Sequence, residues 1–235
     1  MYSALQGPHL RLTSSQYREA LPLRLLLPVI ENAPNQQYLC TCGYAREHEN
    51  DGHVHATVCR TANSQRTFCH DRAVRTLFDF LSKVQPDGHW KLEEKVGSGA
   101  RADISGIINH QVYWVDVAIT APCTSHALAQ RSNEFPLTAA RIREEQKLAH
   151  YETARQTMQE TPVPFVLEST GAIGKHAASF IDTVCSLPRL LPIADSTIAT
   201  HRRTFKKLLN VCVARGFAES LSAARRALVI TPTVI

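Results

Sequence analysis

The sequence predicts a mixed α/β fold, a small mixed sheet with flanking helices, and three observations predict it. Residues 111–120 are dense in β-formers, with Val112, Trp114, Val115, Val117 and Ile119. Val74, Leu77, Phe78 and Leu81 recur at i, i+3, i+4 and i+7, which is one face of a helix. Segments of these two kinds then alternate as helix, three strands, helix, strand, helix, an order that builds a sheet with helices packed on it.

Residues 1–39 read as an N-terminal arm. Ser14 and Ser15 stand ready to cap a short helix through Tyr17, Ala20 and Leu21 that Pro22 stops. Residues 40–70 gather four of the seven cysteines together with His48, His53, His55 and His70. Asp71 is the expected N-cap of the helix carrying Val74 to Leu81, and Pro86-Asp87-Gly88 ends that helix. Residues 90–96, 102–108 and 111–120 follow as strands, the first two joined across Gly97-Ser98-Gly99. A helix rich in Ala, Arg, Glu and Gln spans 136–158, with Leu148, Tyr151, Ala154 and Met158 along one stripe. Residues 163–168 form the fourth strand, and the turn at Gly171 to Gly174 opens a helix through Ile181 and Cys185. Last comes a basic helix with Phe205, Leu208, Leu209 and Cys212 on its apolar face, broken at Gly216, with Leu221, Ala224 and Leu228 extending it. The expected division is an arm (1–39), a Cys/His cluster (40–70), a sheet domain (71–185) and a basic helical tail (186–235).

With 235 residues, 44% hydrophobic and 20% charged, the chain has the means to bury a core, which excludes wholesale disorder. Its longest apolar stretch, residues 21–30, is interrupted by Pro22, Arg24 and Pro28, far short of the ~20 apolar residues of a membrane span. No charged leader precedes an apolar run, and an odd number of cysteines argues against a disulfide framework, so a chain that is not secreted is expected. The net charge of +5 suits a polyanionic partner.

Two constellations carry chemistry. Cys40-x-Cys42 followed by His55-x₃-Cys59 offers three thiolates and an imidazole, the donor set of a structural tetrahedral zinc. His48 and His53 are the alternatives to His55, and the bland reading is of buried cysteines beside solvated histidines. The second constellation is acidic. Asp116 interrupts an apolar strand, which is costly unless the carboxylate is paired or binds a metal. Asp103 opens the strand before it, and Glu93 and Glu94 lie on the strand before that. Asp103, Asp116 and one of the two glutamates are expected to converge and hold Mg²⁺ or Mn²⁺ through hard oxygen ligands. Lys147 and Tyr151, four apart, share a helix face; the lysine is placed to orient an attacking water and offset phosphate charge. The bland alternative pairs Asp116 with Arg101 or Arg141 and leaves Lys147 in solvent. Arg202, Arg203, Lys206 and Lys207 on the basic helix are expected to track phosphates.

Taken in order, these motifs resemble the C-terminal region of non-LTR retrotransposon polyproteins, where a Cys/His zinc knuckle precedes a restriction-like endonuclease of the PD-(D/E)xK superfamily. Cys40-x-Cys42-Gly43, His55-x₃-Cys59 and His70-Asp71 resemble the knuckle and the Arg-His-Asp after it, with Cys69 in place of the arginine. Arg101-Ala102-Asp103 resembles the Arg-Pro-Asp motif, Asp116-Val117 the second metal-ligand strand, and Glu144-x₂-Lys147-x₃-Tyr151 the Glu-x-x-Lys/Tyr helix. Ala118 stands where many relatives of the superfamily place a catalytic lysine, so the resemblance implies that Lys147 takes that role. It implies a PD-(D/E)xK-like core behind a zinc knuckle, Mg-dependent nicking of DNA, and work in the nucleus or between cytoplasm and nucleus. Element RNA is a further partner, as is a reverse transcriptase supplied by another chain or missing. A catalytically inactive, zinc-stabilised nucleic-acid-binding relic of such an element is the rival expectation.

Overall fold

The computed structural model describes residues 11–24, 36–40, 59, 63–94, 101–158, 160–189, 192–226 and 228–232. In chain order its elements are α1 (Ser14–Arg24), β1 (Gln36–Cys40), α2 (Asn63–Val84), β2 (Lys91–Leu92), β3 (Ile104–Ile108), β4 (Gln111–Thr120), α3 (Ser125–Ala129), α4 (Thr138–Met158), β5 (Thr161–Glu168), α5 (Lys175–Ser186), α6 (Asp195–Arg226) and β6 (Leu228–Pro232). They divide into two units, one built on His70–Asn210 and one on Gln6–Cys69 with Val211–Ile235. Among the described residues no helix is long and apolar enough to cross a membrane.

The first unit is a mixed α/β layer structure around a four-stranded sheet in the order β2-β3-β4-β5. β3 and β4 pair antiparallel across a two-residue turn, Asn109-His110, with both residues at positive φ as a tight right-twisting hairpin requires. β4 and β5 pair parallel, Asp116 beside Pro164. A parallel joint needs a long crossover, and α3 and α4 supply it. Because side chains alternate along a strand, Trp114, Asp116 and Ala118 face one way and Val115 and Val117 the other. Helix α4 covers the first face, with Ala140 against Ala118 and Val166, and the Tyr151 ring 6.5 Å from Trp114. On the other side Phe165 meets Phe205 of α6, which stacks on Phe80 of α2 at 4.1 Å. Both faces of β5 are therefore buried, as its uninterrupted apolar run Val163 to Leu167 demands. Gly106 is required by contact: a Cβ there would lie 2.2 Å from the Trp90 ring.

The buried stripe of α4 differs from the expected one. Ala140, Glu144, Lys147 and Tyr151 are buried, at spacings of four, three and four, while Leu148 is only half-buried. Charged side chains take the inward positions because partners wait for them there. Helix α2 begins at Asn63, so Asp71 lies in its third turn and is no cap; its carboxylate is engaged by the neighbouring His70 ring. β2 is shorter than the expected 90–96, and the turn at Gly97 to Gly99 lies outside the described residues.

In the second unit β1 pairs antiparallel with β6, Gln36 opposite Pro232 and Cys40 opposite Leu228. Helix α1 is capped by Thr13 rather than by the serines. The Thr13 hydroxyl accepts the Gln16 N–H at 3.1 Å, and the Gln16 side chain accepts the Thr13 N–H at 3.0 Å. The helix continues past Pro22 to Arg24, and Ala20 packs against Ala214 and Ala218. Gly216 does not break the basic helix either. It lies within the continuous α6, where a Cβ would fall 2.1 Å from the Cys69 sulfur. The glycine marks a close approach of α6 to Cys69, and Leu228 belongs to a strand.

Candidate active site

The site forms on the α4 face of the sheet. Asp116 sits in the middle of β4, and Asp103 directly precedes Ile104, the residue that pairs with Val115, so the two aspartates stand side by side across the strands. The Asp103 carboxylate accepts the Val117 N–H at 2.7 Å, which fixes it against β4. From α4, Lys147 Nζ reaches Asp116 Oδ1 at 2.5 Å, and the Tyr151 hydroxyl donates to Asp116 Oδ2 at 3.0 Å. The residues four apart on one helix face thus close on the two oxygens of one carboxylate. From α2, His70 Nε2 lies 3.3 Å from Asp103 Oδ2 while its Nδ1 lies 3.1 Å from Asp71 Oδ1.

A ring with a carboxylate at each nitrogen favours the doubly protonated form. The hydrogen bond to Asp103 does most to raise His70, to about 9, against the opposing effect of burial and with help from Asp71. Burial alone would push the Asp103 carboxyl up, but the bond and charge of His70, the Val117 N–H and the Lys147 charge outweigh it and hold the group below the usual carboxylate range. Burial and then the Asp116 charge push the Tyr151 phenol up, so it stays a donor.

The glutamates expected beside the aspartates have other partners. Glu93 is exposed and pairs with Arg101, and Glu94 accepts from Lys91 at 2.8 Å and from the Ser105 hydroxyl. The lysine first and the hydroxyl second lower the Glu94 carboxyl. Arg141 pairs with Glu145, so neither arginine named as a structural partner binds Asp116; Lys147 does. On α6, Arg202 pairs with Asp182, whereas Arg203, Lys206 and Lys207 are exposed. Of the zinc set, Cys42 and His55, with the alternatives His48 and His53, lie outside the described residues, as does the Cys40 side chain; Cys59 is buried.

Two site residues were not singled out from spacing. His70 stood out only as part of a dipeptide, because its partner Asp103 is remote in sequence. Glu144 entered only through the resemblance to the Glu-x-x-Lys/Tyr helix, which says nothing of its burial; it is buried and accepts the His176 N–H at 3.0 Å, tying α4 to the start of α5. Burial pushes its carboxyl up, opposed by the His176 and Ala177 backbone N–H groups. The signal available was, for Glu144, its place three residues before Lys147 on the same helix, and for His70, its place beside Asp71.

Among the described residues no three His, Cys, Asp or Glu side chains form a ready-made metal cage. Two adjacent carboxylates nevertheless fit Mg²⁺, which keeps several waters and binds through one or two carboxylates plus phosphate oxygens. Compared with known family models and with curated proteins, the chain matches none.

Proposed function

We propose that the His70–Asn210 unit is a PD-(D/E)xK-like nuclease domain that hydrolyses DNA phosphodiesters with Mg²⁺ or Mn²⁺, of the kind that nicks a target for a retrotransposon. The observation that carries the reading is the closure of Lys147 and Tyr151 on Asp116 next to Asp103. A strand-borne carboxylate, a second carboxylate and a lysine meet on one face, a set suited to metal-assisted phosphodiester hydrolysis. The order of α2, three strands, α4 and β5 in a mixed sheet supports it. Asp116 and Ala118 alternate onto the same face, so a lysine from α4 serves the region that a lysine at position 118 would serve.

Asp103 and Asp116 would hold the cation. When bound, the ion supplies Lewis-acid stabilisation of charge on the phosphoryl oxygens. Lys147 donates a hydrogen bond to the attacking water, orients it in line with the scissile bond and offsets developing negative charge. Tyr151 fixes the rotation of the Asp116 carboxylate, and His70 that of Asp103. The reading extends to a structural zinc at Cys40, Cys42, His55 and Cys59, to phosphate contacts from α6, and to nuclear work alongside a reverse transcriptase and element RNA.

The rival is a silent nucleic-acid-binding relic. One observation favours it: Lys147 and His70 already neutralise both aspartates, as in an inert buried ion-pair network. Incubation with supercoiled plasmid separates the two. The nuclease nicks it in Mg²⁺ or Mn²⁺, and EDTA or Asp116→Asn abolishes nicking while circular dichroism stays native. A folded protein that leaves the plasmid supercoiled in both metals refutes the nuclease reading.

A further inference from the structure

Close to the two aspartates lies an exposed ion pair. Arg101 and Glu93 are joined by Arg101 Nη2 and Glu93 Oε2, with side chains 60% and 67% exposed. Such a pair is worth little, about 0–1 kcal/mol, so a stronger anion displaces it at small cost. Its position, however, is built. The Glu93 N–H donates to the Asp103 carbonyl at 3.0 Å and the Ala102 N–H to the Glu94 carbonyl at 3.2 Å, so a backbone ladder sets Glu93 against the segment that carries Arg101. Glu93 adopts a left-handed φ of 57°, uncommon for a residue with a side chain. Arg101 is anchored at the rim of the site from the other side: its carbonyl lies 3.5 Å from the Tyr151 hydroxyl, the same hydroxyl that donates to Asp116.

We infer that Arg101 is the clamp for a DNA phosphate adjoining the scissile bond, and that Glu93 is an intramolecular stand-in for that phosphate, holding the guanidinium until substrate displaces it. The inference rests on the nuclease reading and names a substrate contact of that same site. A guanidinium binds carboxylate and phosphate with the same two-pronged geometry, which is why one anion substitutes for the other. Glu93 is then an electrostatic latch, where spacing alone offered it as a metal ligand. It raises the DNA concentration the site needs and disfavours other anions.

The test uses the full chain. Binding of a labelled duplex oligonucleotide is followed by anisotropy over a series of KCl concentrations in EDTA, so that nothing is cut, and plasmid nicking is assayed separately in Mg²⁺. Glu93→Gln is expected to tighten binding by about threefold or more by releasing the arginine. Arg101→Ala is expected to weaken binding and reduce the slope of log K against log salt by about 0.9. The double variant is expected to behave as Arg101→Ala alone, because Glu93 acts through the arginine. Loss of nicking in Glu93→Gln without a gain in affinity overturns the inference and makes Glu93 a metal ligand. Unchanged binding in both single variants overturns it as well. Shifted binding in a protein that never nicks keeps the clamp and removes the nuclease; nicking with unshifted binding does the reverse. A wild-type chain that neither binds nor nicks removes both.

Discussion

Asp103 and Asp116 are held by opposite means. Asp116 is satisfied by a buried ammonium and a phenol, which compensates a desolvation cost of several kcal/mol per ion only because both of its oxygens have partners. Asp103 depends on His70, a group that titrates. With a folded-state value raised to about 9 from 6.5, His70 adds stability that is full below pH 6.5 and is lost as pH rises through about 9. Asp103, lowered when folded, adds stability above the ordinary carboxylate range that is lost on acidification below it. The stability difference between wild type and His70→Gln, from urea unfolding in EDTA, should therefore be widest between about pH 5 and 6.5 and shrink steadily toward pH 9. A difference that is flat from pH 6 to 9 would mean that the imidazole is neutral in the folded protein.

At the scale of elements, α6 depends on a missing side chain. Gly216→Ala places a Cβ 2.1 Å from Cys69 Sγ and 2.4 Å from its Cβ, and overpacking of that kind costs about 1–3 kcal/mol. Thermal melts should show the loss, and Cys69→Ala in the same chain should recover part of it. Without recovery, the close approach would not be what selects glycine. The same residue shows what a sequence conceals. Gly216 read as a helix break, because glycine's low helix propensity is local whereas the Cys69 sulfur that excludes a side chain is over a hundred residues away. β4 was legible to its ends, since seven β-branched or aromatic residues within the ten from Gln111 to Thr120 leave little choice. The pairing of Lys147 with Tyr151 on one face was legible from helical spacing, but not the burial of that face, which its partners on the sheet decide. Asp71 carried the chemistry of a cap and sits inside a helix, its side chain spent on His70 instead. Thr13 carries that chemistry and uses it, because Gln16 lies three residues on to complete the exchange.

For the molecule as a whole, a net charge of +5 favours polyanions without choosing among them. The exposed Arg203, Lys206 and Lys207 give that charge a direction. Replacing any one of them by glutamine should lower the salt slope of DNA binding by about 0.9, whereas Arg202→Gln, whose cation is already paired with Asp182, should lower it less. Equal slopes for all four variants and wild type would take the duplex off this face of α6. The pairing of β1 with β6 has a consequence in time. At ordinary synthesis rates of about 5–20 residues per second, β1 leaves the ribosome roughly 10–40 s before the strand that completes it. The sheet that carries Asp103 and Asp116 emerges wholly within that interval, so the four-stranded sheet has all its strands before the two-stranded sheet can close.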